Sequence, residues 1–105
     1  MNMTFVKSVS SDLLAAKTYV VGAKKNWYPI DTSIRGILNE LRDENKETVR
    51  SLEAKTGLNR MRIQVILTGE TTPPSVGELT QLARAFGVKL AAIIHEAQLR
   101  VAERK

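Results

Sequence analysis

A chain of 105 residues with 43% hydrophobic content closes one small core, which argues against a two-domain enzyme. The absence of cysteine excludes disulfides, thiolate metal centres and cysteine nucleophiles, and a single histidine, His95, leaves no pair for a metal site or proton relay within one chain. Sixteen Lys and Arg against eleven Asp and Glu give a net charge of +5, a balance that favours a polyanionic partner.

Residues 1–11 carry no firm pattern; Met3, Phe5 and Val9 fit a frayed arm or a short strand equally. Asp12 can then cap a helix in which Leu13, Leu14, Lys17, Val20 and Val21 recur at helical spacing, ending near Gly22 or Lys24. The run Asn26-Trp27-Tyr28-Pro29-Ile30-Asp31 marks a boundary, because proline and its polar neighbours interrupt regular structure. It divides the chain into an N-terminal arm and helix, 1–31, and a helical body, 32–105. No apolar run approaches the roughly 18 residues of a membrane span, and Met1-Asn2-Met3-Thr4 lacks a signal-peptide layout, so no membrane association and a cytoplasmic protein are expected.

In the body, Thr32 or Ser33 can cap a helix with Ile34, Ile37, Leu38 and Leu41 on one face, stopping near Asn45. Thr48 caps a short second helix that turns Val49 and Leu52 inward and stops at Gly57, where a left-handed residue is needed. Asn59 caps a third, Arg60 to Thr68, whose Ile63, Ile66 and Leu67 fall three and four apart before Gly69 closes it. Thr71-Thr72-Pro73-Pro74 is an extended loop, since the residue before each proline is steered out of the helical region. Ser75 with Glu78 forms a capping box for a fourth helix, which turns Val76, Leu79, Leu82, Ala83 and Phe86 inward and ends at Gly87. Lys89 begins a fifth, striped with Leu90, Ile93, Ile94, Ala97 and Val101. The expected fold is all-α, a bundle of four to five helices with an extra N-terminal helix.

The informative unit runs from Thr48 to Thr68. Two helices joined by a tight turn containing Gly57 cross steeply, so the second projects along a surface. Its outward residues are Arg60, Met61, Gln64, Val65 and Thr68, with Arg62 on a flank. Arginine offers a donor fork to guanine, glutamine pairs with the adenine edge, and Met61 or Val65 suits a thymine methyl. Asn59, Arg60 and the first amides of the helix lie at its positive end, which favours phosphate. Arg50, Lys55 and Arg62 can lie over flanking backbone, four positive residues with Arg60 against the one acid Glu53. On charge alone, a solvated face of an ordinary bundle accounts for the same residues.

Three stretches carry a family resemblance: Leu52-Glu53-Ala54-Lys55-Thr56-Gly57-Leu58-Asn59-Arg60; Ile63 and Ile66 through Gly69-Glu70; and Pro74-Ser75 with Leu79-Thr80-Gln81-Leu82-Ala83-Arg84-Ala85-Phe86-Gly87-Val88. In this order and spacing they resemble the lambda-repressor-like, or Xre/Cro-type, helix-turn-helix family over residues 33–96. The resemblance implies a regulator of transcription that binds double-stranded DNA without cofactor or catalysis. It implies that Arg60, Met61 and Gln64 face bases while Asn59, Thr68 and the adjoining loop approach phosphates. Two positions depart from the family pattern. Glu53 stands where a small alanine faces the next helix, so the packing loosens or Glu53 tilts outward. Val49 stands where a glutamine often helps to anchor phosphate.

One such module neutralises few phosphates, so a homodimer on an inverted repeat, with recognition helices about 34 Å apart, is the expected assembly of a phage-type or mobile-element repressor. Ile93, Ile94, Ala97 and Val101 offer a dimer interface, and equally they close the domain. The N-terminal helix can pack on the bundle, swap into a partner chain or bind another protein, as an antitoxin does. Trp27 reads as a packing anchor, and Lys24 and Lys25 as candidates for a basic arm. Glu40, Asp43, Glu44 and Glu47 cluster acids, but with the spacing of a charged helix end rather than an enzyme site.

Overall fold

The computed structural model describes residues 26–103; the helix expected over 12–22, the arm before it, and Lys24 and Lys25 lie outside the described residues. Five helices follow in order: α1 (Pro29–Glu44), α2 (Val49–Thr56), α3 (Arg60–Thr68), α4 (Val76–Phe86) and α5 (Leu90–Glu103), with no strand among the described residues.

Three of the expected caps, Thr48, Asn59 and Ser75, are in place. Thr48 Oγ1 accepts from Ser51 N at 3.0 Å while Ser51 Oγ accepts from Thr48 N at 2.8 Å, a reciprocal box that starts α2. Asn59 Oδ1 accepts from Met61 N at 2.7 Å at the start of α3. Ser75 Oγ accepts from Glu78 N at 3.1 Å, and Glu78 returns a carboxylate oxygen to Ser75 N at 2.9 Å. Gly57 and Gly69 both sit at φ +77°, the left-handed conformation that ends α2 and α3 without straining a side chain.

The first helix corrects the sequence boundary. It begins at Pro29, not at Thr32 or Ser33, because proline at the first helical position has the right φ and lacks only an N–H that would be unpaired there. Asp31 fastens this turn by accepting from Tyr28 N at 2.9 Å. The proposed division at 31/32 therefore falls inside α1, and Ile30 packs against the core.

Leu38, Leu52, Ile63, Ile66 and Leu82 are fully buried at the centre, one or two from each of α1 to α4. From α5, Ile93 and Ala97 complete this core at 3% and 0% exposure, with Ser33 Oγ donating to the Ala97 carbonyl at 3.2 Å. Both side chains are thus buried within the chain's own core rather than left on its surface as a dimer interface requires; Ile94 and Val101 are half-buried. Arg100 ties α5 to α1 from outside, with bonds of 2.7 and 2.8 Å to the two carboxylate oxygens of Glu40. Val76, expected inward, is 71% exposed, because the first turn of α4 stands clear of the bundle before Leu79 meets it.

Candidate nucleic-acid interface

Helix α3 is short and held on three sides. Ile63 and Ile66 are completely buried and Leu67 nearly so, which places its inner face in the core and turns the opposite face to solvent. That outer face carries Arg60, Met61, Gln64 and Thr68, all exposed, with Val65 half-buried beside them. Met61 is 70% exposed, a large apolar side chain standing in water. The sequence phase of this helix is therefore the phase of the structure.

The C-terminal end of α3 is fastened by α1. Arg35 Nη1 donates to the Thr68 carbonyl at 2.7 Å, and Asn39 Nδ2 donates to the Leu67 carbonyl at 3.0 Å, satisfying two carbonyls that a helix end otherwise leaves unpaired. Trp27 extends this clamp: its indole N–H donates to the Thr71 carbonyl at 2.8 Å, and the Arg35 guanidinium lies 5.9 Å from its ring centre. Trp27 is the anchor its size suggested. Arg35 and Asn39 were not foreseen, since nothing in their spacing reveals a carbonyl twenty-eight or more residues away.

The flank is held by Arg62. Its Nε and Nη2 donate to Glu78 at 2.7 and 2.8 Å, Nη1 donates to the Thr72 carbonyl at 3.0 Å, and Nη2 donates to the Pro73 carbonyl at 3.0 Å. This fork binds α3, the loop after it and the cap of α4 into one unit. The guanidinium holds the Glu78 carboxyl down at about 2, and the carboxylate in turn raises the arginine's own pKa. Arg62 was expected on phosphate. Its donors are instead committed within the protein, so it positions the loop.

The other residues expected at the backbone differ among themselves. Arg50 is exposed and makes no ion pair among the described residues. Lys55 is paired with Glu47, whose carboxylate is lowered by that contact and by Ser51. Thr68 turns its hydroxyl back to the Gln64 carbonyl at 2.9 Å. Asn59 occupies the Met61 amide, and Glu53, tilted outward, accepts from Arg60 N at 3.2 Å. Two first-turn amides of α3 therefore already face side-chain oxygens. Val49, in the place of the family's glutamine, is half-buried against the core. The acids at the end of α1 do not converge: Glu40 faces Arg100 and Glu47 faces Lys55.

Six of the sixteen Lys and Arg (Lys7, Lys17, Lys24, Lys25, Arg104 and Lys105) lie outside residues 26–103, with Asp12 the one acid there. Residues 26–103 are consequently balanced, ten bases to ten acids, and the surplus of +5 belongs to the chain on either side of them. The body's affinity for a polyanion must come from where its charges stand rather than from their sum.

The model of a helix-turn-helix family matches residues 38–93, from the middle of α1 into α5. The chain belongs to this lambda-repressor-like helix-turn-helix family. No curated protein and no solved structure matches it. Membership makes α2, the Gly57 turn and α3 the helix-turn-helix itself, and the chain a DNA-binding protein of a family that regulates transcription. No described helix is long and apolar enough to cross a membrane.

Proposed function

We propose that this helix-turn-helix protein is a sequence-specific transcriptional repressor of the phage or mobile-element type, which binds an inverted-repeat operator as a homodimer and acts by occluding the promoter. Arg60, Met61, Gln64 and Val65 read base edges in the major groove. Arg50, Lys55, Asn59 and Thr68 lie along the flanking phosphates, and Arg62 serves them by fixing the loop. The observation that carries this reading is the outer face of α3: a donor fork, an amide and an apolar side chain, all exposed, on a helix whose inner face and far end are locked to the core. A base-reading surface needs both properties, because hydrogen bonds to base edges discriminate only when their donors are held in register.

The charge balance supports pairing two modules. A body with no net charge gains little from the phosphate lattice as a whole, and two correctly spaced recognition helices supply what one does not. With Ile93 and Ala97 inside the protomer, the surface left for the partner on α5 is its outer side, where Leu99 is 46% exposed.

Selection from a random duplex library at moderate salt tests the proposal. Enrichment of one motif repeated in inverted orientation at a one-turn spacing is expected; a library that emerges unenriched contradicts sequence-specific binding, and a single unrepeated half-site contradicts the homodimer.

A further inference from the structure

We infer that Glu53 is a specificity-determining residue: it holds the Arg60 guanidinium by one edge and so converts that arginine from a phosphate contact into a reader of guanine. The inference rests on the base-reading role proposed for α3. Glu53 Oε1 accepts from Arg60 Nε at 3.4 Å and Nη2 at 3.3 Å, while Oε2 accepts from Arg60 N at 3.2 Å. One carboxylate thus touches both the backbone and the side chain of the same residue, across the Gly57 turn.

A guanidinium has two edges that can meet a pair of acceptors, one formed by Nε and Nη2 and one by the two terminal nitrogens. Glu53 fills the first. Among the described residues the second has no partner, on a side chain that is 53% exposed, and its two parallel donors match guanine O6 and N7. An arginine at this position without Glu53 swings on a flexible stem and reaches whichever phosphate is nearest. With Glu53, its rotamer is restrained and its charge is offset at long range, which weakens attraction to any backbone but leaves the short-range fork to the base intact. Glu53 also occupies the first amide of α3, so a phosphate gains less there.

The inference makes two effects of opposite sign. Removing Glu53 should strengthen binding to arbitrary DNA, because a negative charge leaves the interface, and should weaken discrimination at one base pair, because Arg60 is no longer held. The test uses the full chain, the duplex enriched by selection, copies of it with each G·C pair replaced in turn, and a random duplex, at several salt concentrations. Glu53→Ala is expected to bind the random duplex several-fold more tightly, with a salt dependence steeper by about one ion. It is expected to lose about tenfold of its preference at a single G·C pair. Glu53→Gln, which keeps an acceptor and the shape of the turn, should fall between, and thermal melts of both variants establish that the fold is retained. In an Arg60→Ala background the Glu53 substitution should leave base preference unchanged.

Undiminished preference at every G·C pair in Glu53→Ala overturns the inference, as does an equal loss of preference with and without Arg60. Failure of the underlying reading has a different signature: the unsubstituted protein would then bind the selected and random duplexes alike.

Discussion

Replacing Glu78 by glutamine tests the idea that the loop after α3 is fastened electrostatically. The Glu78 carboxylate takes two bonds from Arg62 and one from Ser75 N, and the side chains of the ion pair are only 23% and 22% exposed. Its pKa falls from 4.5 to about 2, with the hydrogen bonds from Arg62 as the main cause. At about 1.4 kcal/mol per tenfold change in proton affinity, this corresponds to about 3 kcal/mol of folding free energy. Because the folded value is the lower one, that stability is present above pH 4.5 and is lost as pH falls towards 2. Glutamine keeps the length and an oxygen for the capping box but not the charge. Urea unfolding followed by circular dichroism should therefore place Glu78→Gln about 2–3 kcal/mol below the unsubstituted protein at pH 7, or roughly 10–20 °C in Tm for a domain of this size. Near pH 2.5 the difference should shrink to about 1 kcal/mol or less. Two stability curves that stay parallel from pH 7 to pH 2.5, or coincide throughout, would refute the reasoning.

Two further substitutions probe how α3 is seated. Ile63→Ala empties a fully buried position and should cost about 2–5 kcal/mol in unfolding free energy; a normal melt would mean that α3 does not present this side to the core. Gly69→Ala meets a φ of +77° and places a methyl 2.8 Å from Arg35 Nη1, so it should cost more than the about 1–2 kcal/mol of a left-handed residue alone. In an Arg35→Ala background that excess should vanish from the melting curves, and an unchanged penalty would show that the contact is irrelevant.

Much of this fold is legible in local chemistry. Asn59, Gly69 and the three- and four-residue steps between Ile63, Ile66 and Leu67 define α3 by rules that operate within one or two turns. Pro29 was misread because the same residue that breaks a helix interior is favoured at its first position, and Asp31, two residues on, is the sign that separates the cases. Val76 was misread because apolar character says nothing about whether a first turn has reached the bundle. Ile93 and Ala97 left the interface open, since a short stripe suits a core and a partner equally until the neighbouring helices are placed.

The candidate interface divides in the same way. Which side chains α3 turns to solvent follows from its period. What those and their neighbours touch does not: Arg62 finds Glu78 sixteen residues on, Arg35 reaches the Thr68 carbonyl from another helix, and Glu53 meets Arg60 around the turn. Each was visible as a charge, and none carried the name of its partner. The net charge was the least informative quantity, because the surplus sits outside residues 26–103 and so outside all five helices.

The most direct measurement is the affinity of Gln64→Ala for the selected operator and for a random duplex, at one salt concentration, beside its melting temperature. Gln64 is exposed, and its side chain makes no hydrogen bond among the described residues, so its removal should leave the melt within about 0.5 kcal/mol of the unsubstituted protein. Operator binding should weaken by about 1–3 kcal/mol while random binding stays the same. Equal losses on the two duplexes, or no loss on either, would contradict the claim that this face of α3 reads the bases.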